Sequence, residues 1–226
     1  MKQQAVYNMI KMTKNRFEYE KPTTNARVNN CVGEKKRMLT ITQYIFKRMA
    51  NRIASNKTKM RGILGWLSTG AGKTTIATGI LDEYSTKDKI VYYISRHDAL
   101  KPKSEFKKIL EEMYKKRERE AEKIIEKLKI MSIVAFYNRV EKKEVDLENA
   151  VIIIDEAQYL FATRAVPRFR EKHEKLIKKL EGENGANIYI LSATPGDNQE
   201  ELVRLLNMIR RKGEEKITQE NMKEHI

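Results

Sequence analysis

Short apolar runs alternate along this chain with longer segments in which apolar residues recur every three or four positions. The runs at 62–67, 90–94, 130–136, 151–154 and 187–191 read as strands. Residues 151–154 (Val-Ile-Ile-Ile) are apolar throughout, as a strand covered on both faces requires. The run at 90–94 is rich in β-branched and aromatic residues, which suit a pleated surface. Helical periodicity appears over 42–55, where Tyr44, Ile45, Met49 and Ile53 form a stripe, and over 73–84, with Ile76, Ile80 and Leu81 inward. The longest helical pattern spans 104–129: Phe106, Ile109, Leu110 and Met113 begin it, and Ile124, Ile125 and Leu128 resume it. Its other face is dense in Lys, Arg and Glu and reads as a solvated surface laced with ion pairs one turn apart. Helices are also expected over 169–180 and over 200–211, the latter carrying Leu202, Leu205, Leu206 and Ile209. Strands that alternate with helices predict an α/β fold, a mostly parallel sheet with helices on both faces. Residues 1–38 are basic, polar and weakly periodic, and Pro22 followed by Thr23-Thr24-Asn25 suggests loop. They are set apart as an arm, leaving 39–226 as one domain.

Composition adds a preference for partners. Of 226 residues, 40% are hydrophobic, enough for a core, and 34% are charged, with a formal net charge of +15. Such an excess of cations favours polyanions, nucleic acid first and an anionic membrane surface second. A merely solvated basic surface is the plain alternative. Cys31 is the single cysteine, and His97, His173 and His225 are scattered. No intrachain disulfide or thiolate metal site follows from such a set, and the usage fits a reducing compartment. No stretch has the length of a signal peptide's apolar core or of a membrane span. The expectation is a soluble, intracellular protein of the cytoplasm, nucleus or virion, with no membrane partner.

Three segments carry chemistry. In the run from Leu67 to Thr75, residues Ser68, Thr69, Gly70, Ala71, Gly72, Lys73, Thr74 and Thr75 end in the Gly-Lys-Thr of a phosphate-binding loop. Leu67 stands where the pattern's first glycine is usual. Gly70 and Gly72 allow a turn that points successive N–H groups at a phosphate, and the helix starting near Lys73 adds its positive end. Lys73 can reach the β- and γ-phosphates, and the Thr74 hydroxyl can ligate Mg²⁺. The second segment is Asp155-Glu156 at the end of an apolar strand, where parallel sheets bind ligands. Asp155 is expected to hold Mg²⁺ and Glu156 to orient and activate the attacking water. Acidic residues at a strand end also serve as helix caps, so the pair gains its meaning from the loop upstream. The third segment, Ser192-Ala193-Thr194-Pro195, places two hydroxyls where they can bond the Asp155 loop, or simply forms a Ser/Thr turn before proline.

Together these residues resemble superfamily 2 helicases. Gly70 to Thr75 resembles motif I and Asp155-Glu156-Ala157-Gln158 resembles motif II, with Gln158 where the family more often has His or Asp. Ser192-Ala193-Thr194 resembles motif III. Gln43 lies where the family places the glutamine that reads the adenine edge. Ile94-Ser95-Arg96 resembles motif Ia, which implies contacts from Ser95 and Arg96 to a nucleic-acid backbone, and Lys101 lies in the same post-strand loop. The segment from Ser192 to Asn207 is similar to the Swi/Snf-like branch and to helicase-like ATPases of large DNA viruses. The resemblance implies a RecA-like P-loop NTPase domain that uses ATP and Mg²⁺, with Lys73, Asp155, Glu156, Gln158, Ser192 and Thr194 in the catalytic machinery. It implies DNA or RNA as a partner, and a second RecA-like domain or partner chain that supplies arginine fingers, since no arginine-finger motif of the Q-x-x-G-R-x-x-R type occurs in this sequence. Two other readings remain: a nucleotide- and nucleic-acid-binding accessory module without efficient turnover, and another P-loop class such as a kinase or ring ATPase, in which Gln43 and the Ser192 segment have no role.

Overall fold

The computed structural model describes residues 39–58, 60–161, 167–182, 185–210 and 213–222. The basic arm expected over 1–38 lies outside them. Five strands form one sheet: β1 (Gly62–Trp66), β2 (Ile90–Ser95), β3 (Leu128–Ser132), β4 (Ala150–Asp155) and β5 (Asn187–Ser192). Their spatial order is β1-β5-β4-β2-β3, and every pairing is parallel.

Because successive side chains of a strand point to opposite faces, the sheet sorts its residues by alternate position. Ile63, Val91, Tyr93, Val151, Ile153, Tyr189 and Leu191 lie in one core, under α1 (Ile41–Ala54), α2 (Lys73–Tyr84), α3 (Lys103–Tyr114) and α4 (Glu118–Glu126). Leu64, Tyr92, Ile94, Ile152, Ile154, Ile188 and Ile190 lie in the other, under α5 (Ile133–Glu141), α6 (Arg170–Glu181) and α7 (Gln199–Ile209). β4 is buried at all six positions, which explains its unbroken apolar sequence. The chain leaves β1 over one face to reach β2 and β3, and returns over the other face to β4 and then β5. That reversal opens a crevice at the carboxyl ends of the strands.

A buried arginine holds the opposite end of the molecule. Arg61, just before β1, donates from Nε to the Met208 carbonyl at 2.9 Å and from a terminal nitrogen to the Leu180 carbonyl at 2.7 Å. It thus satisfies orphan carbonyls at the ends of both α6 and α7. Burial, with Arg210 nearby as a second cause, lowers its pKa to about 10.

Three expected elements differ from those observed. The helix over 104–129 is two helices, α3 and α4. Lys115 breaks it in the left-handed conformation at φ 53°, and its N–H closes on the Leu110 carbonyl. The break folds Ala121 and Ile124 back onto the core that already takes Phe106 and Leu110. The strand expected over 130–136 runs only through Leu128–Ser132, and residues from Ile133 form α5. Ser132 caps that helix by accepting from the Ala135 N–H at 3.2 Å. Buried Ile133, Phe136, Tyr137 and Val140 already carry helical spacing. In α1 the buried face is Gln43, Phe46, Ala50 and Ile53, and Tyr44 is 54% exposed. Phe46 turns inward because Gly65 of β1 leaves room for its ring: a Cβ there would sit 2.6 Å from Phe46 Cζ.

Candidate nucleotide site

Register brings the three chemical segments to one rim. Trp66 at the end of β1 pairs with Ser192, and Leu191 of β5 pairs with Asp155 at the end of β4. The segments that follow these strands therefore emerge side by side. Leu67 leaves β1 with its N–H donating to the Ser192 carbonyl at 2.8 Å. Its side chain is buried in the core beneath α1 and α2. The departure from glycine at this position thus fills the core.

The loop from Ser68 to Gly72 is exposed at Ser68, Thr69 and Gly70. Gly70 and Gly72 take φ 82° and 79°, the left-handed region that glycine enters at little cost. Gly72 precedes α2 and offers no side chain to cap it, so the first amides of α2 are left for another acceptor. Thr74 and Thr75 sit half-buried in the first turn. Tyr114 of α3 donates to the Thr75 carbonyl at 2.9 Å and fixes that turn from outside.

Gln43 lies against this loop. Its Nε2 donates to the Ala71 carbonyl at 3.3 Å, and its Oε1 accepts from the Thr40 N–H at 3.0 Å, completing a capping box at the start of α1. A side chain at Gly72 would run into the Gln43 amide.

Opposite the loop, Lys73 Nζ is ion-paired with Glu156. Glu156 takes a left-handed backbone, φ 56° and ψ 57°, unusual for a residue with a side chain. Its N–H donates to the Leu191 carbonyl at 2.9 Å, which pins this conformation to β5. The second Glu156 oxygen accepts from Gln158 Nε2 at 2.9 Å, and Gln158 Oε1 accepts from the Ser192 hydroxyl at 2.5 Å. The Ser192 oxygen accepts in turn from the Thr194 N–H at 3.2 Å. A continuous set of polar contacts thus runs from Lys73 through Glu156, Gln158 and Ser192 to Thr194. Partial burial pushes the Glu156 pKa up, but the Lys73 ammonium and the Gln158 amide together hold it below the usual value.

Asp155 is buried. Its Oδ2 accepts from the Tyr93 hydroxyl, and its Oδ1 has no hydrogen-bond partner. Burial raises the Asp155 pKa, while the Tyr93 hydrogen bond opposes the rise. A buried carboxylate oxygen without a donor is costly unless a cation or water meets it, so Asp155 is suited to ligate a divalent ion.

The residues expected to face nucleic acid divide. Ser95 is fully buried, because it is the last residue of the covered strand β2 and lies beside Ser132 of β3, so its hydroxyl is not on the exposed rim. Arg96 is exposed, ion-paired with Asp98, and stacked 4.6 Å from the Tyr159 ring centroid. Lys101 is half-buried, 3.8 Å from Glu105. Two residues at the rim escaped the sequence reading. Tyr93 carries only a strand signal, although its even spacing from Ser95 puts it on one face with that residue. Trp66, 41% exposed, donates its indole N–H to the Ala193 carbonyl at 2.8 Å.

The model of the family described as "Type III restriction enzyme, res subunit" (ResIII) matches residues 3–197. The chain belongs to the ResIII family. This ResIII chain is an ATP-binding RecA-like domain of the superfamily 2 helicase type. Among solved structures, the Sulfolobus solfataricus SWI2/SNF2 ATPase core in complex with dsDNA matches with a TM-score of 0.48 and 16% identity, over 77% of this chain and 35% of that one. The ResIII chain thus spans about a third of that protein's length. No curated protein matches the chain. Among the described residues, no helix is long and apolar enough to cross a membrane.

Proposed function

We propose that this ResIII domain binds ATP with Mg²⁺ at the rim of β1, β4 and β5, and hydrolyses it when a second RecA-like domain or partner chain completes the site, coupling turnover to movement along or opening of DNA or RNA. The observation that carries the reading is the meeting of Lys73 and Glu156, from segments far apart in sequence, beside the unsatisfied oxygen of Asp155. The glycine loop and the uncapped start of α2 receive the phosphates through backbone N–H groups. Lys73 exchanges Glu156 for the β- and γ-phosphate oxygens. Glu156, released and ionised, orients a water in line with the γ-phosphorus and accepts its proton as the new P–O bond forms and the bond to the β-phosphate oxygen breaks. Thr74 and Asp155 would hold Mg²⁺, which when bound neutralises charge on the phosphate oxygens. Gln158 and Ser192 carry the loss of the Lys73–Glu156 contact to the segment at Thr194.

The net charge of +15 and the exposed Arg96 support a nucleic-acid partner bound through its phosphates, which carry no sequence information. The SWI2/SNF2 core named above was solved with dsDNA, which supports a duplex as the first ligand to try. Trp66 is the only tryptophan in the chain, so its emission serves as the probe. ATP with Mg²⁺ should change that emission saturably, and phosphate release should rise when duplex and a second RecA-like domain are added. No emission change at millimolar ATP, together with no binding by calorimetry, would reject the site.

A further inference from the structure

Tyr93 has no assigned part in the site, yet its hydroxyl ends on Asp155. Tyr93 and Asp155 lie on neighbouring parallel strands, β2 and β4, with Tyr93 opposite Ile153 in the register. Both side chains therefore project from the face that carries α2 and the phosphate loop. Tyr93 is 1% exposed and Asp155 4%. The Tyr93 ring is fixed from the other side by Phe106 of α3, edge to face, with centroids 5.2 Å apart at 73°. A rigid, dry ring thus presents one O–H donor to Oδ2, and Oδ1 has no partner.

We propose that Tyr93 is the positioning residue of the metal site: it holds Oδ2 of Asp155 so that Oδ1 is aimed, unsatisfied, at the divalent cation that accompanies the nucleotide. The inference rests on the reading of Asp155 given above. A carboxylate fixed through one oxygen gives up little rotational freedom when the other binds a cation. It is also spared the choice of turning both oxygens toward the nearest donors. Without the hydroxyl, Asp155 would have two unsatisfied oxygens in a buried place and would swing toward Lys73. Hydrogen bonds of this outer kind are worth roughly 10- to 100-fold in metal affinity elsewhere. Phe106 ties the same ring to α3, so the aim of Asp155 depends on how that helix packs.

Tyr93→Phe tests the assignment, because it keeps the packed ring and removes one oxygen. Binding of a non-hydrolysable ATP analogue is titrated at fixed protein with Mg²⁺, with Mn²⁺, and with a chelator. The half-saturating Mg²⁺ and Mn²⁺ should rise about tenfold or more in Tyr93→Phe, while affinity in chelator stays at the wild-type value; the melting temperature of the metal-free protein should fall modestly, because a buried carboxylate loses its donor. In an Asp155→Asn background, Tyr93→Phe should add nothing to the metal dependence. A merely structural role predicts a lowered melting temperature with unchanged half-saturation, so the metal dependence is the deciding measurement. Unchanged half-saturation, an equal loss in chelator, or an additive effect on Asp155→Asn each overturn the proposal. If wild-type binding is itself indifferent to both cations, the metal site fails at Asp155 and Tyr93 falls with it. If wild type depends on them and Tyr93→Phe does so equally, only the role of Tyr93 fails.

Discussion

Lys73 and Glu156 form a direct ion pair between the start of α2 and the end of β4, so the lysine that should meet phosphate is already held by the glutamate that should meet water. On the proposed reading, a bound nucleotide would separate them. This arrangement makes separate predictions for the two side chains.

Lys73→Ala should weaken ATP binding by roughly ten- to a hundredfold, the value of a charge-assisted hydrogen bond to a buried anion. The domain should remain folded, because the Lys73 ammonium pairs with Glu156, and Glu156 keeps Gln158 as a partner when the lysine is removed. Calorimetry with ATP and a far-UV melting curve check both halves. Unchanged affinity in a folded protein would remove Lys73 from the phosphate site.

Glu156→Gln should leave ATP affinity equal to or above wild type, since it releases Lys73 from its competitor. Turnover in the completed enzyme should fall by about 10² or more, the usual weight of a general base. Pre-steady-state phosphate release measured beside equilibrium binding separates the effects. Equal turnover in the two proteins would take Glu156 out of the mechanism.

Gln43→Ala should both loosen the start of α1 and blunt nucleotide choice. The bond from the Thr40 N–H to the Gln43 side chain is lost, worth about 1 kcal/mol, and the lost contact to the Ala71 carbonyl frees the phosphate loop. Competition between ATP and GTP is the measurement. Wild-type protein that binds both equally would leave Gln43 with a structural role only.

Arg96→Ala should weaken nucleic-acid binding evenly across sequences and reduce the slope of log K against log salt by about 0.7 to 0.9. The pair with Asp98 is exposed and so worth little, which lets a phosphate displace it. Salt titrations by fluorescence anisotropy give the slope, and an unchanged slope would assign the binding to other cations.

His173 predicts an acid sensitivity. It is buried on α6, and burial lowers its pKa below 6.5, against the smaller opposing pull of the Tyr159 and Leu160 backbone. The folded protein therefore binds fewer protons than the unfolded chain once pH drops under 6.5. The stability from the neutral ring is complete above that value and declines as pH falls toward the lowered one. The melting temperature should drop less between about pH 7 and about pH 5 in His173→Gln than in wild type. Parallel curves would show that other groups govern the decline.

The sequence by itself determined what local pattern and short-range chemistry can encode. β4 was legible because a strand covered on both faces must be apolar at each position, and the glycine loop because Gly70 and Gly72 take angles that other residues avoid. Asp155 and Glu156 were legible as candidates because an acidic pair ending an apolar strand has few cheaper explanations. What the sequence left open depends on partners distant along the chain. The turn at Lys115 has neither glycine nor proline, and it exists because Ala121 and Ile124 find a place on the core beside Phe106. The inward face of α1 was decided by the space at Gly65 and by the Ala71 carbonyl, which drew Phe46 and Gln43 inward and left Tyr44 in solvent. Ser95 reads as a surface residue until the sheet covers it. Tyr93 reads as strand filling until β2 lies beside β4 and its hydroxyl finds Asp155. Such contacts are set by strand order and register, which bring together residues that no spacing along the chain relates.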